Sequence, residues 1–144
     1  MSICVFCQIA NGSVPASVVF QDEETLAFLD HRPLFPGHSL LIPRQHFESL
    51  IDVPPSILSH LASNARLLAI AIEKGLGAQG AFVALNNRVS QSVAHLHIHV
   101  VPRTKGDGLK GFFWPRKKYR GPEEMEDTRD KLARAMDELK TVRA

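Results

Sequence analysis

Cysteine is nearly absent from this chain: two residues in 144, Cys4 and Cys7, three positions apart. So short a spacing closes no useful loop, which excludes a disulfide-stapled secreted scaffold, and a reducing cytoplasm is the simplest setting. A dominant charge of one sign is missing too. Lys and Arg number 17 against 15 Asp and Glu, a net charge of +2 that argues against an extended nucleic-acid surface. No apolar run approaches the roughly 20 residues of a membrane span. The first residues lack the basic and apolar regions of a signal peptide. No Gly-x-x-x-x-Gly-Lys-[Ser/Thr] stretch occurs, so a P-loop NTPase or kinase is not expected. Repeats and low-complexity linkers are absent. What is present is 44% hydrophobic and 22% charged, ordinary proportions for one globular domain, 1–144, with a real core.

Local patterns divide that domain. "CVFCQIANG" reads as a helical turn ending at Gly12. "ASVVFQD" (16–22) and "TLAFLD" (25–30) read as strands around an acidic turn, and "SLLIP" (39–43) as a buried strand. Between them "RPLFPGH" is a rigid loop punctuated by Pro33, Pro36 and Gly37. Asp52 is a candidate cap before Pro54 and Pro55. Ile57, Leu58, Leu61, Ala65, Leu68, Ala69 and Ile72 then recur at helical spacing, and Gly75 and Gly77 end the helix. "AFVALN" (81–86) reads as a strand. A last helix spans about Pro122 to Val142, with acidic Glu123, Glu124 and Glu126 in its first turn and basic residues at its end, as the macrodipole favours. Adjacent strands interrupted by helices predict an α+β fold with an antiparallel sheet.

The stretch "SVAHLHIHVVPR" (92–103) places His95, His97 and His99 at alternate positions. Alternate residues line one face of a strand, successive members about 7 Å apart. Leu96, Ile98 and Val100 then face a core, and Pro102 is expected to stop the ladder. Three readings compete: a solvated row, a tri-histidine metal centre, or imidazole catalysis at phosphorus. A neutral imidazole attacks through a bare ring nitrogen, while the other nitrogen needs a fixed acceptor, such as a main-chain carbonyl, to set the tautomer. "CVFC" is equally open. It could be a redox pair, although a thioredoxin-like motif would follow a strand, or half of a zinc site lacking two ligands.

"HLHIHVV" resembles the signature of the histidine-triad (HIT) hydrolases and transferases, His-φ-His-φ-His-φ-φ with φ apolar. "LAFLDHRPLFPGHSLLIPRQH" (26–46) resembles that family's nucleotide-binding segment, and Gln91–Ser92 sits where it keeps a polar pair. The likeness covers Cys4 to Asp107. It implies a HIT fold of about five antiparallel strands with one long and one C-terminal helix. It also implies a homodimer that binds a purine nucleotide derivative and cleaves at the α-phosphorus. By motif position His97 would be the nucleophile, with His99 and His38 flanking the phosphate. Asp30 would bind the ribose, and Asn86, Gln91 and Ser92 would contact phosphate oxygens or the bridging atom. Many relatives carry glycine where this chain has Ser90, so the loop path there is an open point.

The branch of the family with an N-terminal cysteine pair implies structural zinc held by Cys4, Cys7, His46 and His95, with no metal required for catalysis. Hydrolysis of a nucleoside phosphoramidate or related nucleoside phosphate derivative is the leading expectation. A diadenosine polyphosphate hydrolase is the alternative, and a nucleotide- or zinc-binding module without turnover is the alternative of another class. No membrane or nucleic-acid partner is expected. His60 is read as solvated on the long helix, His31 as surface or site rim, and Arg88 as a solvated charge or a phosphate contact. "FFWPRKKYRG" (112–121) reads as a packing or dimer-edge segment, with Phe112, Phe113 or Trp114 reaching towards a base or a partner.

Overall fold

The computed structural model describes residues 3–110 and 116–143, with side chains described as far as Thr141. Phe112, Phe113 and Trp114 lie outside the described residues. Met1–Asp107 form one compact unit and Gly108–Ala144 a second. The first carries α1 (Val5–Ala10), β1 (Val18–Gln21), β2 (Thr25–Leu29), β3 (Ser39–Pro43), α2 (Pro55–Leu76), β4 (Gly80–Ala84) and β5 (Ile98–Arg103). The second carries α3 (Pro122–Arg143), with Glu123 and Glu124 in its first turn.

All five strands pair antiparallel, in the order β1-β2-β3-β5-β4. The α+β antiparallel class expected from the sequence is the observed one. The sheet is covered on both faces, which is why β3 reads as a continuous apolar run and not an alternating one. On one face Leu61, Ala65, Leu68 and Ile72 of α2 pack with Ala27, Leu41, Leu96, Ile98 and Val100. On the other, Phe6 of α1 packs with Leu26, Phe28, Leu40 and Ile42. Directly paired residues share a face, and His99 pairs with Leu40, so the catalytic candidates belong to the α1 face.

Three local expectations are corrected. The histidine strand begins at Ile98, not at His95. Upstream of it the Leu96 N–H donates to the Phe47 carbonyl (2.7 Å), and the His95 side chain, not its backbone, bonds the carbonyl of Pro43 (2.8 Å). Pro102 does not stop the ladder, which continues to Gly80↔Arg103. Arg103 accepts from Gln79 N–H on the β4 side, so Pro102 points its missing donor the other way, past the end of β3 pairing. Finally, α2 is capped by Pro54 and closed by Gly77 at φ +69°, while Gly75 lies inside it. Asp52 instead accepts from Ser49 N–H and Oγ–H (3.0 and 2.7 Å).

His60 is not a free surface histidine either. It lies 2.7 Å from Asp22 Oδ2, which also accepts from Asn64 Nδ2 (2.9 Å). Oδ1 of the same carboxylate accepts from Glu24 N–H, Thr25 N–H and Thr25 Oγ–H. Asp22 thereby ties the β1–β2 turn to α2. Burial works against its charge, but the bonds from Thr25, Asn64, Glu24 and His60 outweigh that and hold the carboxyl below the usual carboxylate range. A depressed folded-state pKa contributes stability that is complete above the unfolded value, about 3.9, and is lost as pH falls below it. Asp22→Asn is expected to lose about 2 kcal/mol of unfolding free energy near pH 7. In urea titrations the gap from wild type should narrow below about pH 4. A gap that widens on acidification would refute this.

Arg44, just past β3, joins α1 to the same turn. It donates to the carbonyls of Ala10 (2.9 Å) and Asp22 (2.6 Å) and to Gln21 Oε1 (2.7 Å).

Candidate active site and metal cluster

The approach to β5 brings three imidazoles into contact on the α1 face. His97 and His99 have ring centroids 5.0 Å apart, and His38, at the start of β3, stacks obliquely 5.2 Å from His99. His38 follows Gly37, whose φ of +99° is a glycine conformation. A Cβ there would lie 2.3 Å from Leu76 Cδ1 and 3.0 Å from Pro102 Cγ, so the Pro-Gly turn can pack its backbone against α2 and β5.

Hydrogen-bond partners assign the ring protons. His97 is buried, and its Nδ1 lies 2.8 Å from the main-chain carbonyl of His95. A carbonyl only accepts, so Nδ1 carries the hydrogen and Nε2 is the bare nitrogen. The fixed acceptor expected from the sequence is therefore present. The Nδ1 of His38 accepts from Leu34 N–H (3.1 Å), so its Nε2 carries the hydrogen and donates to Nδ1 of His99 (2.9 Å). A neutral His99 then holds its own hydrogen on Nε2. Asp30 Oδ2 sits 3.8 Å from His38 Nε2, and Asp30 Oδ1 accepts from Arg32 N–H (2.9 Å). Burial lowers the His38 pKa, opposed by the charge of Asp30. Burial, then the neighbouring His97 and His38, push His99 down to about 4. Both rings are neutral near pH 7.

His95 faces the other way. Its Nε2 donates to the Pro43 carbonyl (2.8 Å), leaving Nδ1 bare, 3.3 Å from Cys4 Sγ and 3.5 Å from Cys7 Sγ. His46 Nδ1 lies 3.3 Å from Cys7 Sγ. These four ligand atoms fall within 4.8 Å of one another. A tetrahedral zinc with bonds of about 2.3 Å to sulfur and 2.0–2.1 Å to nitrogen needs S···N edges of about 3.5 Å. The donor set fits, down to the second hydrogen bond that fixes a ligating ring. Burial and then the neighbouring Cys4 sulfur raise the Cys7 pKa, a penalty that a bound cation would reverse. Asp30, His38 and His99 also converge, but a hydrogen occupies the line between the two rings, and moving it to His38 Nδ1 would oppose Leu34 N–H. In that trio His38 and His99 share one hydrogen bond (2.9 Å), with Asp30 Oδ2 3.8 Å from His38 Nε2.

The other sequence candidates are placed differently. Gln91 accepts from Arg88 N–H within its loop (2.9 Å) and donates to the Glu48 carbonyl of the segment after β3 (2.6 Å). Asn86 is exposed and donates to the Ser90 carbonyl (3.2 Å). Ser92 lines a cleft with Cys4, His46 and Glu48, beside the cysteine cluster. Ser90 has φ +61°, so the loop keeps the left-handed turn that glycine would favour, at about 1–2 kcal/mol for a residue with a Cβ. His31 is exposed, 4.0 Å from Asp30 Oδ1. Phe6 was not singled out in the sequence, yet its ring touches both His95 and His97. Its only signal is its position between the two cysteines.

Residues 11–106 match the family model described as the HIT domain. An uncharacterised HIT-like protein of Methanocaldococcus jannaschii is 41% identical over 108 residues, 74% of this chain and 83% of that one. An adenylylsulfatase of Arabidopsis thaliana is 38% identical over 108 residues, 74% of this chain and 55% of that one. Among solved structures, a zinc-bound histidine triad family protein of Mycobacterium smegmatis superposes with a TM-score of 0.72 at 38% identity, covering 93% of this chain and 96% of that one.

Proposed function

Because this chain belongs to the HIT family, we propose that it hydrolyses nucleoside phosphoramidates or related nucleoside phosphate derivatives at the α-phosphorus, with His97 as the nucleophile. The observation that carries this reading is the bond from His97 Nδ1 to the His95 carbonyl, which leaves Nε2 bare beside two rings that are neutral near pH 7. Nε2 attacks phosphorus, the bond from phosphorus to the leaving group breaks, and the nucleotide is held on His97. The leaving group takes its proton from water, while His99, neutral near pH 7, keeps its Nε2–H and donates it as a hydrogen bond to the reacting phosphate. A second water then attacks phosphorus and releases a proton to solvent, the N–P bond breaks to return His97 Nε2 to its bare form, and the nucleoside monophosphate departs. Asp30 is the ribose-binding candidate. His38 acts on the phosphate through His99, by fixing which nitrogen of that ring carries the hydrogen. Stabilising charge on the phosphoryl oxygens is the main task such a site performs. Asn86, Gln91 and Ser92 are the candidates for contact with phosphate oxygens or the bridging atom.

Zinc is proposed at Cys4, Cys7, His46 and His95. Four protein ligands leave no open coordination position, so its role is structural and the bond changes fall to imidazole.

The test is a comparison of kcat/KM for adenosine phosphoramidate, two diadenosine polyphosphates and adenylyl sulfate, the last because the Arabidopsis relative is an adenylylsulfatase. Preference for the phosphoramidate supports the proposal. Preference for a diadenosine polyphosphate or for adenylyl sulfate moves the assignment to that substrate. Nucleotide binding without turnover of any of them rejects an enzyme.

We also propose a homodimer through α2 and residues 81–86. The stripe Ile57, Leu61, Leu68 and Ile72 is not the reason, since Leu61, Leu68 and Ile72 are buried within the chain. The support is that β4 ends the sheet, and that Leu58, Ala62, Ala69, Val83 and Leu85 form an apolar groove beside it. Unpaired edges and apolar patches favour association. Light scattering at micromolar concentration is expected to give twice the chain mass, and Ala62→Glu to give one chain mass. A monomeric wild type would reject the interface.

A further inference from the structure

We propose that Phe6 is a positioning residue: its ring, carried between the two cysteines on α1, holds the imidazole of His97 in its attacking orientation. In its kinetic readout this rests on His97 being the nucleophile.

α1 has only six residues, and Phe6 is its one buried side chain. A helix so short has no stability of its own in water. It is held from outside by Arg44 on the Ala10 carbonyl, by the packing of Phe6, and by the cysteines that face His46 and His95. The Phe6 ring stands edge-on to Phe28 (5.4 Å, 70°) and to His95 (5.9 Å, 72°). Its most nearly perpendicular contact is with His97, at 5.2 Å and 87°.

His97 needs such a contact. Its one hydrogen bond among the described residues, from Nδ1 to the His95 carbonyl, holds a single ring atom and leaves small χ1 and χ2 adjustments of the ring to be limited by packing. His99, at 5.0 Å and 70°, restrains it from one neighbour, and Phe6 supplies the second restraint. Ring tilt moves Nε2, the atom that must line up with phosphorus. Misplacing a reacting atom by about 1 Å can cost about 100-fold in rate. The Cys-x-Phe-Cys order thus gives α1 two tasks on adjacent side chains: the sulfurs face His95, and the ring faces the residue two positions beyond it.

A core residue with no positioning role would, when replaced, lower stability and leave the chemistry of the folded protein alone. The experiment separates the two. Phe6→Leu keeps apolar volume, and Phe6→Ala removes it. Each is measured for bound metal, thermal unfolding, kcat and KM with adenosine phosphoramidate. Histidine 15N resonances are recorded at a fixed, mildly alkaline pH. For Phe6→Leu we expect unchanged metal content, kcat lower by about 10- to 100-fold and KM within about threefold. We also expect the His97 nitrogen pair to move from a fixed Nδ1–H tautomer towards the average of both tautomers. Phe6→Ala should shift both readouts further in the same direction. If kcat and the His97 nitrogen signals of the folded variants match wild type, the proposal is overturned. Should His97→Ala prove active, the nucleophile assignment fails, and the nitrogen signals still decide the role of Phe6.

Discussion

His97→Ala is expected to lower turnover by at least about 10,000-fold, since it removes the atom that forms the covalent bond, and single losses within a catalytic unit can approach the loss of the whole unit. Nucleoside monophosphate should still bind, because Asp30, His38 and the rest of the site are untouched. His99→Ala should cost less, on the order of 100- to 1000-fold, as it deletes a donor and not the nucleophile. His38→Ala is expected to resemble His99→Ala, and the double variant to be little worse than either single one. The two rings share one hydrogen bond, so removing either partner loses the same contact, and such pairs are non-additive. Rapid quench with labelled substrate and peptide mapping should find acid-labile nucleotide on the peptide containing His97. Turnover in His97→Ala at a tenth of wild type or more would sink the mechanism. So would label on another peptide.

The sequence made the skeleton of this site legible because its signals are local. Period-two alternation put His97 and His99 on one face, while His38 was placed beside them only by the resemblance of the segment 26–46 to the family's. Punctuation at Pro43, Pro54, Pro55 and Gly77 bounded β3 and α2 nearly where they lie. What escaped depended on partners far apart in the chain. Asp22 and His60 are separated by 38 positions, so nothing near His60 reveals that a carboxylate meets it. The start of β5 was misplaced because alternation persists through His95 and His97 while their backbone has already left the ladder. A periodicity reports which way side chains point, not which carbonyl each N–H finds. Gln91 was read for its chemical type, and nothing local foretold that its amide would reach the Glu48 carbonyl, 43 positions away. Ser90 shows the converse. A residue poorly suited to a left-handed turn adopts one because the bonds of Gln91 and Asn86 to the surrounding backbone determine the path.

Removing the metal, or one of its thiolates, is expected to give the largest loss of stability. Purified without chelator, the protein should carry about one zinc per chain. Cys4→Ser is the sharpest substitution because Cys4 has two roles. Its sulfur caps α1 by accepting from Cys7 N–H (3.4 Å) and lies 3.3 Å from His95 Nδ1. Serine is itself a favoured N-cap, so the variant keeps the cap and loses only the thiolate. Binding energy at a structural site is folding energy. The first unit has its own core on both sheet faces, so the loss should loosen α1 and its contacts without unfolding the domain. That points to about 3 kcal/mol, or roughly a 10 °C fall in the thermal midpoint for a unit of this size. Exhaustive chelation of wild type should give a similar fall, and added zinc should restore wild type but not Cys4→Ser. His46 is the exposed ligand and His95 the buried one. His46→Ala should therefore cost less than His95→Ala, which also breaks the bond to the Pro43 carbonyl and leaves a cavity behind Phe6. Metal-free wild type with an unchanged midpoint would remove the case for zinc at these four residues.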